Sequence, residues 1–405
     1  MAFSKGVRMR AGYGLSRTSE TRTATREAFN EAMSRLGSDE PLIGVHVYFG
    51  VDHDASVVAE TLAEIAGKVP TIGTSTDGEI TGAGLSVDSI CVFLIASHNV
   101  KAEAVAATAL GKDSFAASAE VARTLRKADS RILFVFADGL TGNGSAVIRG
   151  AQEVLGSSFV IAGGTSGDRG RFVKTWQICN GVAYTDALVG MMLSSSSPLQ
   201  VGFGVMSGWR PLGVAKVVTH AVANTVFRIE GETALDVYSA FLGERASELP
   251  AIGVEYPFAL VDESGLVDER GLHEGEEYIL LRAPMSVDRA TGAVTFAAEI
   301  PQGAKIKMTR AKSDEIIEGS REAARRAIAN FDGAPDAMFF FSCMARKIVL
   351  GRKTNKEIEA AQEVFGKDVP LIGFYTYGEI ANCGAKNPIC RFHNETATFL
   401  ALREG

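Results

Sequence analysis

Apolar residues along this chain follow two alternating rhythms. Short runs rich in β-branched and aromatic residues, such as "GVHVYFGVD" and "ICVFLIA", have the length and composition of buried strands. Between such runs lie stretches with helical spacing. In "ASVVAETLAEIAG", Val58, Leu62 and Ile65 share one face, and Gly67 can end the helix. "VPTIGTSTDGEI", Val69 to Ile80, follows as a strand running into a glycine turn, and "DSICVFLIAS" as one more strand. The same order returns near the C-terminus in "AMFFFSCMA", "NKEIEAAQEVFG", "VPLIGFYTYGEI" (Val369 to Ile380) and "TATFLAL", with Ile358, Ala361 and Phe365 on one helix face. The two quoted turn phrases agree at eight of twelve positions, which duplication explains better than accident. A more diverged copy lies between them: "ILFVFADG", "NGSAVIRGAQEVLG", "SSFVIAGGTSGD" and "ALVGMML".

The pattern predicts an α/β protein with mixed sheets built from repeated strand-helix-strand units in two related domains. Roughly Leu199 to Asn330 has a different texture. It offers short strands in "QVGFGVMSGWRPLG", "AKVVTHAV" and "TVFRIEG", and a helix in "ETALDVYSAFLGE" with Ala234, Val237, Tyr238 and Phe241 on one face. "YILLRAP" and "AVTFAAEI", joined across "SVDRATG", predict a hairpin, and "SDEIIEGSREAARRAIANF" predicts a further helix. The small, polar, proline-bearing tract "SSSSPLQ" marks the boundary, giving domains 1–198 and 199–405.

Composition narrows the function classes. In 405 residues, 46% are hydrophobic and 22% charged, as in globular proteins. A net charge of -7 argues against a nucleic-acid or anionic-membrane partner, which needs a basic surface. The N-terminus has no apolar segment of the secretory kind, and no apolar run is long enough to span a bilayer. Five cysteines without a C-x-x-C pair make neither a disulfide framework nor a zinc site. The expectation is a cytoplasmic protein.

The repeated turns carry the candidate chemistry. Glycine permits close backbone approach, and neighbouring hydroxyls and turn amides can bind polar ligands. The first turn offers Gly73, Thr74, Ser75, Thr76, Gly78 and Glu79; the second Gly164, Thr165, Ser166 and Asp168; the third Tyr375, Thr376, Gly378 and Glu379. Strand ends of this kind meet at a crevice in open α/β sheets, so loops 73–79, 163–168 and 373–379 are expected to face a common cavity. A plainer reading has Gly78 and Gly378 making tight turns, with Glu79 and Glu379 capping a helix or pairing with arginine. Enzyme motifs are absent: the turns do not match G-x-S-x-G, and "GLTGNGSAV" lacks the phosphate-loop lysine. Cys343 with a histidine is a nucleophile pair in principle, but a Cys closing "MFFFSC" reads as a small buried hydrophobe. No catalytic residue or resident metal is expected, with an enzyme of unknown reaction kept as a further alternative.

"VPLIGFYTYGEI" followed by "RFHNETATFLAL" resembles the C-terminal signature of the FIST family, sensory domains shared by bacterial signalling proteins and a eukaryotic F-box protein. "FADGLTGNG", "IAGGTSGD", "GWRPLG", "EGETALDVY" and "FSCMARKIVLG" fit the same family in the same order, from about Leu42 to Leu402. The resemblance implies paired N- and C-terminal domains acting as a receptor for small ligands, amino acids among them. It adds His393 and Asn394 to the candidate residues. With no output segment in view, the signal is expected to pass to a separate protein such as a histidine kinase. Some family members are haem-based nitric-oxide sensors. In that alternative haem is the cofactor, His393 its axial ligand and His53 the second choice; otherwise no cofactor is expected.

Overall fold

The computed structural model describes residues 8–37, 40–261, 279–384 and 388–405. Its plan is one unit used three times. The first unit runs strand Arg10–Ser16, helix Thr21–Leu36, strand Leu42–Gly50, helix Ala55–Ala66, strand Thr71–Thr76, hairpin Glu79–Thr81 with Gly84–Ser86, and strand Ile90–Ala96. The second runs in the same order from Val100–Thr108 to Ala187–Ser195. The third opens with strand Leu199–Met206 and resumes at helix Ser313–Ile328, ending in strand Ala397–Glu404. An eight-stranded sheet from Arg210 to Arg310, with helix Ala234–Leu242 against it, is inserted between those two elements.

Each unit therefore starts one strand and one helix earlier than its apolar rhythm suggested. Leu199–Met206 and Ser313–Ile328, expected within the region of different texture, belong to the third unit. The reason is close packing. A Cβ added to Gly14 or Gly204 would lie 1.9 Å from the carbonyl oxygen of Ala28 or Ala323. Glycine in the strand and alanine in the helix let two backbones touch, at the expense of the apolar pattern that announces both. Within the insertion the expected hairpin shifts. Pro284–Asp288 pairs with Ala293–Phe296, while Ile279–Arg282 pairs with Phe258–Val261. Phe241, expected on the buried face of its helix, is 42% exposed.

Each unit builds a six-stranded sheet with one parallel pair, such as Leu42–Gly50 against Thr71–Thr76. Only four of its strands are its own. The hairpin after each glycine turn crosses to another unit: the first unit's hairpin pairs with Leu371–Thr376, the second's with Thr71–Thr76, and the third's with Val160–Thr165. The exchange closes into a ring of three.

Strand alternation then sorts the core. Val45, Val47 and Phe49 face the helices, while Tyr48 and its neighbours Phe134, Phe136, Phe339 and Phe341 face a common axis. The register makes His46, Phe134 and Phe339 equivalent, and their rings form one layer with centroids 4.7–5.2 Å apart. Tyr48, Phe136 and Phe341, joined by Phe374, form the next. Among the described residues, no helix is long and apolar enough to cross a membrane.

Candidate ligand-binding site

The three glycine turns meet where these aromatic layers end. One backbone bond is made three times: Ser75 N–H to Trp176 carbonyl (2.9 Å), Thr165 N–H to Gly378 carbonyl (2.9 Å) and Tyr375 N–H to Gly78 carbonyl (2.8 Å). Hydroxyls tighten the junction. Thr74 Oγ1 donates to Ser166 Oγ (2.6 Å), Ser75 Oγ to Gly167 carbonyl (2.8 Å) and Thr376 Oγ1 to Thr165 carbonyl (2.6 Å). Gly73 and Gly164 lie in the paired strands beneath, facing Ile178 and Glu379. The turns thus converge, but where a common cavity was expected they pack on one another; Thr74, Ser75 and Thr376, expected to hold a ligand, hold the neighbouring turn, and Thr76 holds its own. Tyr375 departs from the set. It follows the inward Phe374, so its side chain points outward, and its hydroxyl bonds Glu357 Oε1 at 2.6 Å.

Glu79, Gln177 and Glu379 open the three exchanged hairpins and occupy equivalent registers, opposite Phe374, Thr74 and Gly164. All three are fully buried. Glu79 accepts from Ser89 Oγ (2.6 Å) and meets Thr76 Oγ1 at 2.5 Å; Glu379 accepts from Thr396 Oγ1 (2.7 Å) and N–H (3.0 Å). Burial pushes the Glu79 carboxyl up to about 7 and Glu379 up to about 8, against the pull of these bonds. Among the described residues, neither caps a helix or forms an ion pair with arginine.

Beside the junction lie groups that sequence reasoning did not single out. Asp77 is enclosed, and burial pushes its carboxyl up to about 7 against the nearby Lys347 charge and the backbone N–H groups of Gly170 and Arg169. Lys347 Nζ donates to the Asp77 carbonyl. The Tyr377 hydroxyl donates to Asp168, which also accepts backbone N–H groups from Phe172 (2.9 Å), Val173 (2.7 Å) and Lys174 (3.0 Å). Burial alone would raise Asp168; these donors hold it below the usual carboxylate range. Asp168 therefore orders the loop after the second turn, with Phe172 stacked on Tyr377 at 4.9 Å. A signal was present: Asp77 and Tyr377 occupy one of the four positions at which the repeated phrases differ.

A second polar cluster forms around "HNET". His393 is buried opposite Glu379, with Nε2 3.2 Å from the Ala381 carbonyl. Burial pushes its imidazole down to about 3, so the ring is neutral and donates Nε2–H to that carbonyl. An axial haem ligand needs an open lone pair beside an apolar slot. An enclosed ring facing a carboxyl-bearing strand does not fit haem. His53, also buried, has Nδ1 3.2 Å from Thr21 Oγ1. Among the described residues, no three His, Cys, Asp or Glu side chains form a metal-holding group.

Asn394 and Glu395 stand out. Both are buried; among the described residues, the Asn394 amide oxygen and nitrogen and both Glu395 carboxyl oxygens have no hydrogen-bond partner. Glu395 also holds φ at 62°, a conformation that costs a non-glycine residue free energy. Burial, reinforced by the Glu379 charge, raises the Glu395 carboxyl well above its usual range. Cys343 lies against both carboxyls, and burial with these charges raises its thiol, the opposite of nucleophile activation. Burial, with the Glu395 charge, raises the hydroxyl of Tyr238 from the inserted domain, which donates to the Tyr256 carbonyl at 3.2 Å. The buried Arg346 guanidinium beyond is bound to Glu357 at 2.7 and 2.9 Å.

Family models described as the FIST N domain and the FIST C domain match residues 45–232 and 234–382. An uncharacterized protein of Mycobacterium tuberculosis is 23% identical over 398 residues, covering 97% of this chain and 100% of its own. One of Mycobacterium bovis is 22% identical over 396 residues, covering 97% and 99%. Among solved structures, a cyanuric acid hydrolase (10% identity, 98% of this chain and 100% of that one, TM-score 0.36) and a chorismatase (8%, 100% and 100%, TM-score 0.36) are similar over their length. At such scores neither bears on chemistry here.

Proposed function

The chain belongs to the FIST family, whose domains are associated with small-ligand sensing in signal transduction, and from that premise we propose that it is a cytoplasmic, non-catalytic receptor for a small, donor-rich ligand such as a free amino acid. One observation carries the reading: Asn394 and Glu395 are adjacent, enclosed and, among the described residues, unpartnered. Leaving such a group unsatisfied costs about 1–3 kcal/mol each, so a site of this kind is completed by something that donates hydrogen bonds to it. A ligand ammonium group would draw the Glu395 and Glu379 carboxyls, neutral without it, toward the carboxylate form that binds it, and the Asn394 amide can serve a carbonyl or carboxylate.

The proximity of Tyr238 supports a coupling of ligand occupancy to the inserted domain. Glu379 connects the cluster to the axial junction and so to the loop that Asp168 orders. Phe172 and Val173 on that loop are exposed and available to a separate output protein, for which a histidine kinase is a suitable class. The test is thermal denaturation with a panel of free amino acids. A ligand at about a hundred times its Kd adds about 2.7 kcal/mol of stability. The expected result is stabilisation by one ligand class without turnover, lost in Asn394→Ala and Glu395→Gln. Product formation, or stabilisation indifferent to both variants, would overturn the reading.

A further inference from the structure

The first strand of each unit, Arg10–Ser16, Val100–Thr108 or Leu199–Met206, is the edge of a sheet. In the first and third units the following helix seals that edge. Backbone touches backbone at Gly12 and Gly14, and again at Gly202 and Gly204, where an added Cβ would lie 1.8–2.4 Å from a helix carbonyl oxygen. In the first unit helix side chains also reach the strand: Glu31 accepts from Leu15 N–H (2.7 Å) and Arg35 donates to the Tyr13 carbonyl (3.1 Å).

The second unit breaks this pattern. Ala11, Ala102 and Val201 pair with the axial core residues Ile95, Leu193 and Leu402, so Glu103 and Val105 stand where the other units have their glycines. The glycine has crossed to the next strand. Gly190 pairs with Val105, and a Cβ there would lie 2.5 Å from Val121 Cγ1. Helix Ser114–Leu125 therefore nests over Ala187–Ser195. With 12 residues, it is also about one turn shorter than its 16-residue counterparts.

The space left is a cleft of about 590 Å³ between the first and second units. Residues 103–105 line it, with Thr124 and Leu125 on one side and residues 67–71, Asn180 and Gly181 on the other. The Ala104 side chain packs toward the axis, so Ala104 shows the cleft its backbone. Asn180 Nδ2 donates to the Ala104 carbonyl at 3.0 Å. In an antiparallel ladder the N–H and C=O of one residue point the same way, so the Ala104 N–H faces the cleft as well. Among the described residues, no strand pairs with this edge.

We propose that the cleft receives an extended segment of a separate protein, which joins the sheet as a strand beside Val100–Thr108, with β-branched side chains against Val105 and Leu125 and a carboxylate toward Lys68. The alternating N–H and C=O groups of an open edge are complemented by another peptide backbone. The Asn180 amide already stands in for one such group. Walls on both sides admit a single free chain and exclude the folded edge of a second copy. The proposal does not depend on the amino-acid reading.

Fluorescence anisotropy of the full chain with a labelled peptide, Thr-Val-Glu-Val-Thr-Val, tests this. It should saturate one site, and methylating alternate peptide nitrogens should weaken binding about tenfold or more in one of the two phases and little in the other, because only one phase faces the edge. Ala104→Pro removes the edge N–H at a place where a strand tolerates proline, and Thr124→Trp fills the cleft from an exposed position. Each should weaken binding by about the same factor, with thermal unfolding confirming the fold. No saturable binding, equal loss in both methylation phases, or affinity unchanged in both variants would overturn the proposal. So would self-association of the wild type that Ala104→Pro abolishes, since the edge would then belong to a second copy. Should Ala104→Pro fail to fold, Thr124→Trp and the methylation contrast decide it.

Discussion

Gln177 occupies the place that Glu79 and Glu379 hold in the other two units, and that substitution is already an experiment. Its Nε2 donates to Ser166 Oγ at 2.8 Å, in the register where Glu79 meets Thr76 Oγ1 at 2.5 Å. An amide is a neutral shape-mimic of a protonated carboxyl, so the fold uses these two glutamates in their neutral form. Glu379→Gln should therefore fold, and should change how stability depends on pH. The folded carboxyl titrates at about 8 and the free one at 4.5. Between those values the folded state keeps a proton that the unfolded state has released, so unfolding loses protons and stability falls as pH rises. Below pH 4.5 both states are protonated and above about 8 neither is, so the effect is confined to that window. One group contributes about 1.4 kcal/mol per pH unit inside it.

Two histidines act in the opposite sense lower down. Burial pushes His46 and His393 from 6.5 down to about 3, so the unfolded state takes up their protons and stability rises with pH from about 3 to 6.5. Above pH 6.5 the contribution of these histidines fades, and whatever remains is common to wild type and variant. Urea unfolding of wild type and Glu379→Gln at pH 6.5 and 7.5 isolates the term. Wild type should lose about 1.4 kcal/mol more than the variant over that unit. The variant should also be the more stable of the two at pH 7.5. Equal pH slopes, or a variant destabilised by several kcal/mol at both pH values, would show that the carboxylate form is what the fold requires.

The same equivalence makes His46→Phe a stabilising change, since Phe134 and Phe339 complete its layer and both imidazole nitrogens are buried without partners. The expected gain is about 1–3 kcal/mol at neutral pH and more below pH 6, read by the same unfolding assay. Added haem should bind weakly and without a one-to-one endpoint, and His393→Ala should leave the absorption spectrum of the mixture unchanged; a sharp Soret band lost in that variant would refute the fit argument made for His393.

Much of the architecture could be read from strands buried on both faces, because such strands advertise themselves as unbroken apolar runs. "ICVFLIA" and "ILFVFA" became strands of two sheets. What escaped was packing that relies on small residues. "RAGYGLS" and "QVGFGVM" owe their positions to glycines that admit a helix backbone, and glycine weakens a strand signal. The site was legible in part. The turns converge as their shared position implied, yet the direction of Tyr375 was set by a parity that its neighbour Phe374 discloses once the axis is known. Asn394 drew notice through its motif, whereas Glu395 beside it, Asp77 within the first turn phrase and Gln177 did not. Their importance lies in how they are enclosed, or in which residue they replace, and neither is a property of spacing.

The ring of exchanged hairpins answers why one phrase recurs 300 positions apart. A unit that donates its hairpin leaves its own third strand with an open edge, and an open edge is a liability unless another hairpin covers it. Three units passing hairpins in one direction close every such edge, and only a matching junction can make the hand-over. The constraint falls on the residues that cross: "VP" before the strand, the glycine that lets it turn, and the Glu-Ile pair that docks on the next unit. Those are the positions the first and third copies share. The second copy has freedom they lack, because its crossing is lengthened by residues 166–176, which Asp168 and Tyr377 hold in place. The longer crossing lets Gln177 replace a glutamate and frees the intervening loop to present Phe172 and Val173 outward. Divergence in the middle copy is thus concentrated where the ring permits it, at a turn whose loop runs from the shared junction to the molecular surface.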